Sequence, residues 1–207
     1  MALNSPADRV PSHGSDLFGT TYAIDFVAVG ERRSTGPRDW RTLFGSEPPE
    51  RFRAFGRPIL APVAGRVVAV HDGETDHEAR RSILTLLPYL LTQGSRAAQG
   101  PPAIAGNHVV IAAGEDGPFV LVAHLRRGTV RAQVGHDVAA GETLAECGNS
   151  GNSTQPHVHV QATDSMHWDT TRGLPIAFAD RAGEPWMPRT REVFETAYPS
   201  TARSADR

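Results

Sequence analysis

The chain has almost no cysteine. Its single thiol, Cys147, excludes an intrachain disulfide and any zinc cage built from cysteines. It has no run of basic side chains either: the arginines are scattered and the formal net charge is −2, which argues against a nucleic-acid partner, whose phosphates demand a basic face. An apolar N-terminal segment is also missing. Residues 1–6 lead straight into polar sequence, so neither a signal peptide nor a membrane anchor is visible. The longest apolar cluster, around 83–91, covers about ten residues where a bilayer needs about twenty, so no membrane span is expected.

What the chain has in quantity is turn residues. Twenty glycines and sixteen prolines punctuate short β-branched runs, a pattern that predicts many short strands joined by turns. A mainly β fold follows, a compact antiparallel sheet structure with strands over 22–29, 58–60, 65–70, 107–112, 119–123, 143–147 and 157–162. At 207 residues the chain has room for one good core and a small appendage. We place that domain at 1–165. Within it the glycine-free stretch 76–93, with Ile83, Leu84, Leu86, Leu87, Leu90 and Leu91, predicts a helical insertion over about 76–98 that packs on the sheet. Residues 166–207 are expected to form an irregular extension wrapped on the domain, frayed over 200–207. The 30–49 segment, rich in arginine, glycine and proline, is expected to be a long loop.

The most informative stretch is Gly148-Asn149-Ser150-Gly151-Asn152-Ser153-Thr154-Gln155-Pro156-His157-Val158-His159-Val160-Gln161. In a strand, residues i and i+2 share a face roughly 7 Å apart, so His157 and His159 project together while Val158 and Val160 face the core. An isolated His-X-His pair is more often two unremarkable strand histidines than half of a metal site. Further donor-bearing segments change that balance: Ser12-His13-Gly14, Tyr22-Ala23-Ile24-Asp25-Phe26 and Leu121-Val122-Ala123-His124-Leu125. Imidazole and carboxylate donors suit Zn²⁺, and three protein ligands with one open position mark a catalytic rather than a structural site.

These segments, in this order, resemble the lysostaphin-type or LytM-domain zinc metallopeptidases, which cut peptide bonds in bacterial peptidoglycan. The resemblance is carried by Pro58-Ile59-Leu60-Ala61-Pro62-Val63-Ala64-Gly65-Arg66-Val67-Val68, by Gly106-Asn107-His108-Val109-Val110-Ile111, by Val122-Ala123-His124-Leu125, by the glycine-bounded turn from Gly135 to Gly141 and by the 148–160 ending. It spans 13–162. It implies a sheet with a groove over one face and one Zn²⁺ that activates water for attack on a peptide carbonyl. It also implies that His159 and Asp25 bind the metal and that His124 and His157 move protons without ligating it. The family's usual first ligand stands four residues before the aspartate, where this chain has Thr21, a poor ligand; His13, twelve residues before Asp25, is the expected replacement. The partners implied are a peptide or peptidoglycan substrate, with no nucleic acid, and the chain is compatible with a monomer. The resemblance implies a cell-wall or extracellular setting; a cytoplasmic one is expected only if the sequence is complete.

A rival reading is a catalytically silent LytM-like domain that binds peptidoglycan or regulates a partner hydrolase. Cys147 ends an alternating strand and is expected in the core rather than as a nucleophile. His71, His77, His108, His136 and His167 are expected on the surface or in loops, with only His108 a candidate for the groove. Asn152, Ser153 and Thr154 fit a plain turn better than a substrate contact. The Gly148–Gly151 loop lacks the lysine and following helix of a phosphate cradle. The hairpin from Gly135 to Gly148 lacks the lysine a lipoyl-type carrier needs at its tip.

Overall fold

The computed structural model describes residues 1–86, 100–180 and 182–195. Its centre is one antiparallel sheet of eight strands: β1 (Ala2–Leu3), β2 (Ile24–Phe26), β9 (Val158–Thr163), β6 (Phe119–Leu125), β5 (Asn107–Ala112), β4 (Gly65–His71) and β7 (Asp137–Val138) in that spatial order, with β10 (Gly173–Leu174) also paired to β9. A ribbon of β3 (Pro58–Leu60) and β8 (Thr143–Glu146) lies apart from it, as does a short pair of β11 (Phe178–Ala179) and β12 (Pro185–Trp186). The mainly β, antiparallel architecture expected from the turn-punctuated sequence is therefore what the chain adopts. No helix among the described residues is long and apolar enough to cross a membrane.

Alternation along the strands gives the sheet two unlike faces. On the back, Val67, Val109, Ile111 and Val122 are buried together with Leu144 and Ala145 of the β8 ribbon and Leu125, forming the main core. Ile24, Val160 and Ala162 continue it toward Phe26, Phe178 and Phe194, where the C-terminal segment packs edge-on: the Phe26 ring lies 5.3 Å from Phe178 and 5.8 Å from Phe194. The front face is mixed. Val110, Leu121 and Ala123 form an apolar floor, partly covered by Met166 and Trp168, and the ionisable residues flank it.

Register brings those residues into one line across the strands. His71 pairs with His108, His108 faces the irregularity at Ala123 and His124, Ala123 pairs with His159, and His159 pairs with Asp25. That irregularity is a β-bulge: Asn107 opposes Leu125 while Val109 opposes Val122, so one extra residue is fitted into β6. The strain falls on His124, whose φ of +62° lies in the left-handed region that non-glycine residues avoid.

Several boundaries differ from the sequence expectations. The strand expected over 22–29 shortens to Ile24–Phe26, because residues up to Tyr22 form a 3₁₀ segment, Leu17–Tyr22, interrupted at Phe18 and Gly19. β9 begins at Val158, so His157 precedes the strand rather than opening it. The helical insertion is corrected at its start. Residues 76–80 are not helical because their polar groups are taken by the 148–154 turn: Asp76 accepts from the Asn149 amide at 2.6 Å, His77 bonds the Gly151 carbonyl at 2.9 Å and the Arg80 amide donates to Thr154. A helical turn appears only at 83–86. The rest of that expectation, including Leu87, Leu90 and Leu91, lies outside the described residues, as does the expected fraying after 200. The strand Ala2–Leu3 was not expected.

Gly19 ties the 12–21 loop to the sheet. Its φ is +75°, and a Cβ there would meet Thr163 Cγ2 at 2.6 Å. Gly19→Ala is expected to destabilise the fold by about 1–3 kcal/mol, measured by chemical denaturation; an unchanged midpoint would show that this loop is not anchored there.

Candidate metal centre

Asp25 is the focus of the front face. It is 5% exposed, on β2, and its two oxygens receive different partners. Oδ2 lies 3.1 Å from His13 Nε2 and accepts from Asn4 Nδ2 at 2.7 Å; Oδ1 lies 2.9 Å from His159 Nδ1 and 3.6 Å from His157 Nε2. One donor atom each from His13, Asp25 and His159 fall within 4.8 Å of one another. His124 completes the cluster, its ring centroid 4.6 Å from His157 and 5.9 Å from His159. All five residues singled out in the sequence are thus brought together, from segments as far apart as 13 and 159.

His13 arrives by a closed loop: the Ser12 amide donates to the Thr21 carbonyl at 2.9 Å, and Gly14 takes φ +82°. Thr21 turns away and donates to Asp16 at 2.9 Å. Geometry therefore offers His13, and not Thr21, to Asp25.

The outer nitrogens decide what the inner ones present. Ser12 Oγ donates to the Thr20 carbonyl at 3.1 Å, so it accepts from His13 Nδ1–H at 3.0 Å, leaving the lone pair of Nε2 facing Asp25. Gln161 Nε2 donates to the Phe18 carbonyl at 2.8 Å, so its Oε1 accepts from His159 Nε2–H at 2.8 Å and the lone pair of His159 Nδ1 faces Asp25 as well. Two imidazole lone pairs and a carboxylate then converge with no proton among them, which is unfavourable unless a cation or an extra proton sits there. This donor set fits a zinc ion, and the outer contacts are those that orient histidine ligands.

Charge follows the same logic. Burial works against ionisation of Asp25, yet the charge of His157 and, whenever their facing nitrogens carry a proton, the hydrogen bonds from His13 and His159 outweigh it and hold the carboxyl well below its usual range. Burial also works against a charged His159, but the Asp25 hydrogen bond and charge, with the Gln161 bond, raise its pKa. The raised value favours a proton on His159 at the place where a cation would compensate Asp25. Burial, with the neighbouring His157 and His159, pushes His124 well below 6.5; burial also lowers His157, against the pull of Asp25. Both are therefore neutral near pH 7. His124 Nδ1–H donates to Ser150 O at 2.9 Å and His157 Nδ1–H to Gln155 O at 2.8 Å, so each turns an unprotonated Nε2 inward.

Asn4, Ser12, Gln161 and the carbonyl of Ser150 were missed in the sequence. Gln161 had a signal, since it is two residues beyond His159 on the same strand face; Ser12 had only its adjacency to His13, and Asn4 had none. Ser150 is fixed by packing: its Oγ donates to Leu125 O and accepts from the Asn107 amide, and a Cβ at Gly106 would strike it at 2.5 Å. Of the histidines expected outside the site, His136 and His167 are exposed, whereas His108 is buried and His77 is a bridge to the 148–154 turn. Cys147 is buried, and burial, assisted by the charge of Asp76, pushes its thiol up to about 12, which agrees with a core role.

A buried cluster of histidines and one carboxylate on an antiparallel sheet, with its donors converging, defines a candidate mononuclear metal site. Residues 92–170, the segment that carries His124, His157 and His159, match the model of peptidase family M23. None of the curated proteins matches the chain in sequence. Similar solved structures include a catalytic domain of the prophage-encoded M23 protein EnpA from Enterococcus faecalis (20% identity, 74% of this chain and 73% of that one, TM-score 0.42) and the lysostaphin catalytic domain from Staphylococcus simulans (16%, 77% and 86%, 0.41). A putative glycyl-glycine endopeptidase lytM from Ruminococcus gnavus is a third (16%, 73% and 42%, 0.39).

The metal-free chain is expected to lose stability as pH falls from 6.5 toward 5. The lowered pKa values of His124 and His157 mean that the unfolded chain binds more protons in this window, so stability falls with pH there. The raised His159 contributes stability that is fully present below 6.5 and lost only as pH rises through its folded value, so it does not offset the loss. Denaturant titrations of chelator-treated protein at pH 7, 6 and 5 check this; stability that is level or rises on acidification would contradict the assigned protonation states.

Proposed function

We propose that this chain is a zinc-dependent metalloendopeptidase that hydrolyses peptide bonds, with bacterial peptidoglycan as its substrate. The observation that carries the reading is the convergence of His13 Nε2, Asp25 and His159 Nδ1 with their outer atoms already partnered. The family match over 92–170 supports a hydrolase acting on peptide bonds.

In this reading His13, Asp25 and His159 hold the zinc. When bound, zinc supplies a Lewis acid that polarises a carbonyl and a water whose pKa is lowered to about 7. The rest is done by side chains. His157 Nε2, 3.6 Å from Asp25, and the Nε2 of His124, whose ring lies 4.6 Å from that of His157, are unprotonated acceptors beside the ligand set, able to take a proton and pass it to the leaving amine. Their carbonyl partners Gln155 and Ser150 fix which nitrogen does this. The backbone strain at His124 aims its ring at the centre instead of along the strand face.

Elemental analysis of purified protein is expected to give about one zinc per chain, sharply reduced in His13→Ala, Asp25→Ala and His159→Ala. Zinc retained without His13 would assign the third ligand elsewhere, and no zinc even with excess metal would favour the silent binding domain. His124→Ala is expected to keep its zinc while losing roughly 10²–10⁴-fold in peptidoglycan hydrolysis. Gln161→Leu, which removes the acceptor for His159, is expected to weaken zinc binding by about 10–100-fold, read by competition with a chelator.

A further inference from the structure

The short helix α1 (Trp40–Phe44) turns its apolar side chains outward. Trp40, Leu43 and Phe44 stand at i, i+3 and i+4, on one face, and with Ile83 and Leu84 of the helical turn at 83–86 they are between 63% and 69% exposed. The two segments are neighbours, since Ser82 Oγ donates to the Leu43 carbonyl at 2.6 Å. What fastens α1 is polar. Arg81 clasps the fully buried Glu47 through Nε at 2.7 Å and a terminal nitrogen at 2.6 Å, and the same terminal nitrogen reaches the Pro37 carbonyl at 2.7 Å and Thr42 Oγ1 at 3.3 Å. The fold therefore makes no use of this apolar face, and a patch of large apolar side chains left in water marks an interaction surface.

The ground beside the patch is basic. Residues 30–57 hold seven arginines against four acidic residues, in a chain whose net charge is −2. A cleft of about 760 Å³ there is lined by Arg32, Arg38, Arg51 and Arg53 together with Glu31 and Glu50. Arg51 is paired with Asp39 at 2.6 Å, which joins the cleft to the start of α1. Arg32, Arg38 and Arg53 are exposed and form no ion pair among the described residues. The carboxylates next to the patch are already engaged: Asp39 by Arg51 and by the Arg41 amide at 2.9 Å, Glu47 by Arg81, and Glu78 by the Ser46 hydroxyl. Within the cleft Glu31 and Glu50 offset part of the charge, and arginine stays in excess. The Arg41 guanidinium lies over the Trp40 ring, 5.3 Å from its centroid, and so sets one more cation at the edge of the patch.

A second copy of this chain does not fit the face, because an isologous contact would set two basic rims together. An apolar patch bordered by unpaired arginines fits the boundary between headgroups and acyl chains of an anionic lipid bilayer. We propose that this face docks the protein peripherally on such a bilayer, with Trp40, Leu43, Phe44, Ile83 and Leu84 entering the acyl boundary and Arg32, Arg38 and Arg53 meeting lipid phosphates. Thr35, in the loop between Arg32 and Arg38, donates to Gln155 Oε1 at 3.1 Å, so the docked loop is tied to the turn that precedes His157. The docking does not depend on the peptidase reading.

The test is sedimentation of the full-length protein with vesicles of phosphatidylglycerol mixed into phosphatidylcholine, beside vesicles of phosphatidylcholine alone. Binding to the anionic vesicles is expected, weakening as salt is raised, with little binding to the neutral ones. Arg38→Gln and Arg53→Gln should each reduce partitioning about fivefold. The double variant Leu43→Ser/Phe44→Ser should reduce it about tenfold or more, at an unchanged denaturation midpoint. Tryptophan emission should shift to the blue on anionic vesicles, and the shift should be lost in Trp40→Phe, which keeps an apolar ring. Binding to neither kind of vesicle, equal binding to both, or anionic binding untouched by Leu43→Ser/Phe44→Ser overturns the docking face. Self-association that the double variant abolishes, without vesicle binding, overturns it in favour of a second copy, and saturable binding of soluble glycerophosphate without vesicle binding overturns it in favour of a free phosphate ester.

Discussion

The buried charge of Asp25 is the constraint on which the rest of the front face depends. A carboxylate at 5% exposure is tolerated only where donors or a cation compensate it, and the surrounding elements bring their polar side chains to it. The N-terminal strand brings Asn4, the 12–21 loop brings His13, and β9 brings His159. Each supporting contact is itself supported, Ser12 by the Thr20 carbonyl and Gln161 by that of Phe18. The two histidine donors are thus held by the same short stretch of chain, 12–20, whose close approach to β9 requires glycine at position 19.

A second constraint governs the non-ligand histidines. The proposed reaction needs each of these rings neutral with the correct nitrogen free, and the outer nitrogens meet the carbonyls of Ser150 and Gln155, with Ser153 Oγ also 3.0 Å from His157 Nδ1. The Ser150 carbonyl is placed by a network through Asn107 and Leu125, and the turn that contains it is clamped by Asp76 and His77 from the loop after β4. Asn107 also holds the backbone of Glu74, so one buried amide side chain links the turn beside His124 to the segment after β4.

Much of this was legible in the sequence. Glycine and proline spacing gave the antiparallel strands because turn chemistry is local, and period-two alternation put His157 beside His159 for the same reason. The choice of His13 over Thr21 needed only the chemistry of the two side chains, and the loop geometry agrees with it. What was not legible depends on contacts far apart in the chain. Asn4 reaches Asp25 only because Ala2–Leu3 pairs with β2, and no propensity marks a two-residue strand. Residues 76–80 have a helix-compatible composition, yet their polar groups are bound by a turn seventy residues later, and tertiary contacts override local preference. Of the remaining histidines only His108 was a candidate for the groove, and it is the register of β5 against its neighbours that puts it in line with the site.

The proposed centre is defined by which atoms would meet the metal. Zinc K-edge X-ray absorption of the zinc-loaded protein is predicted to show two imidazole nitrogens and one carboxylate oxygen at about 2.0–2.2 Å, with a water-derived oxygen completing four-coordination. A first shell with a single imidazole, or with sulfur from Cys147, would contradict it.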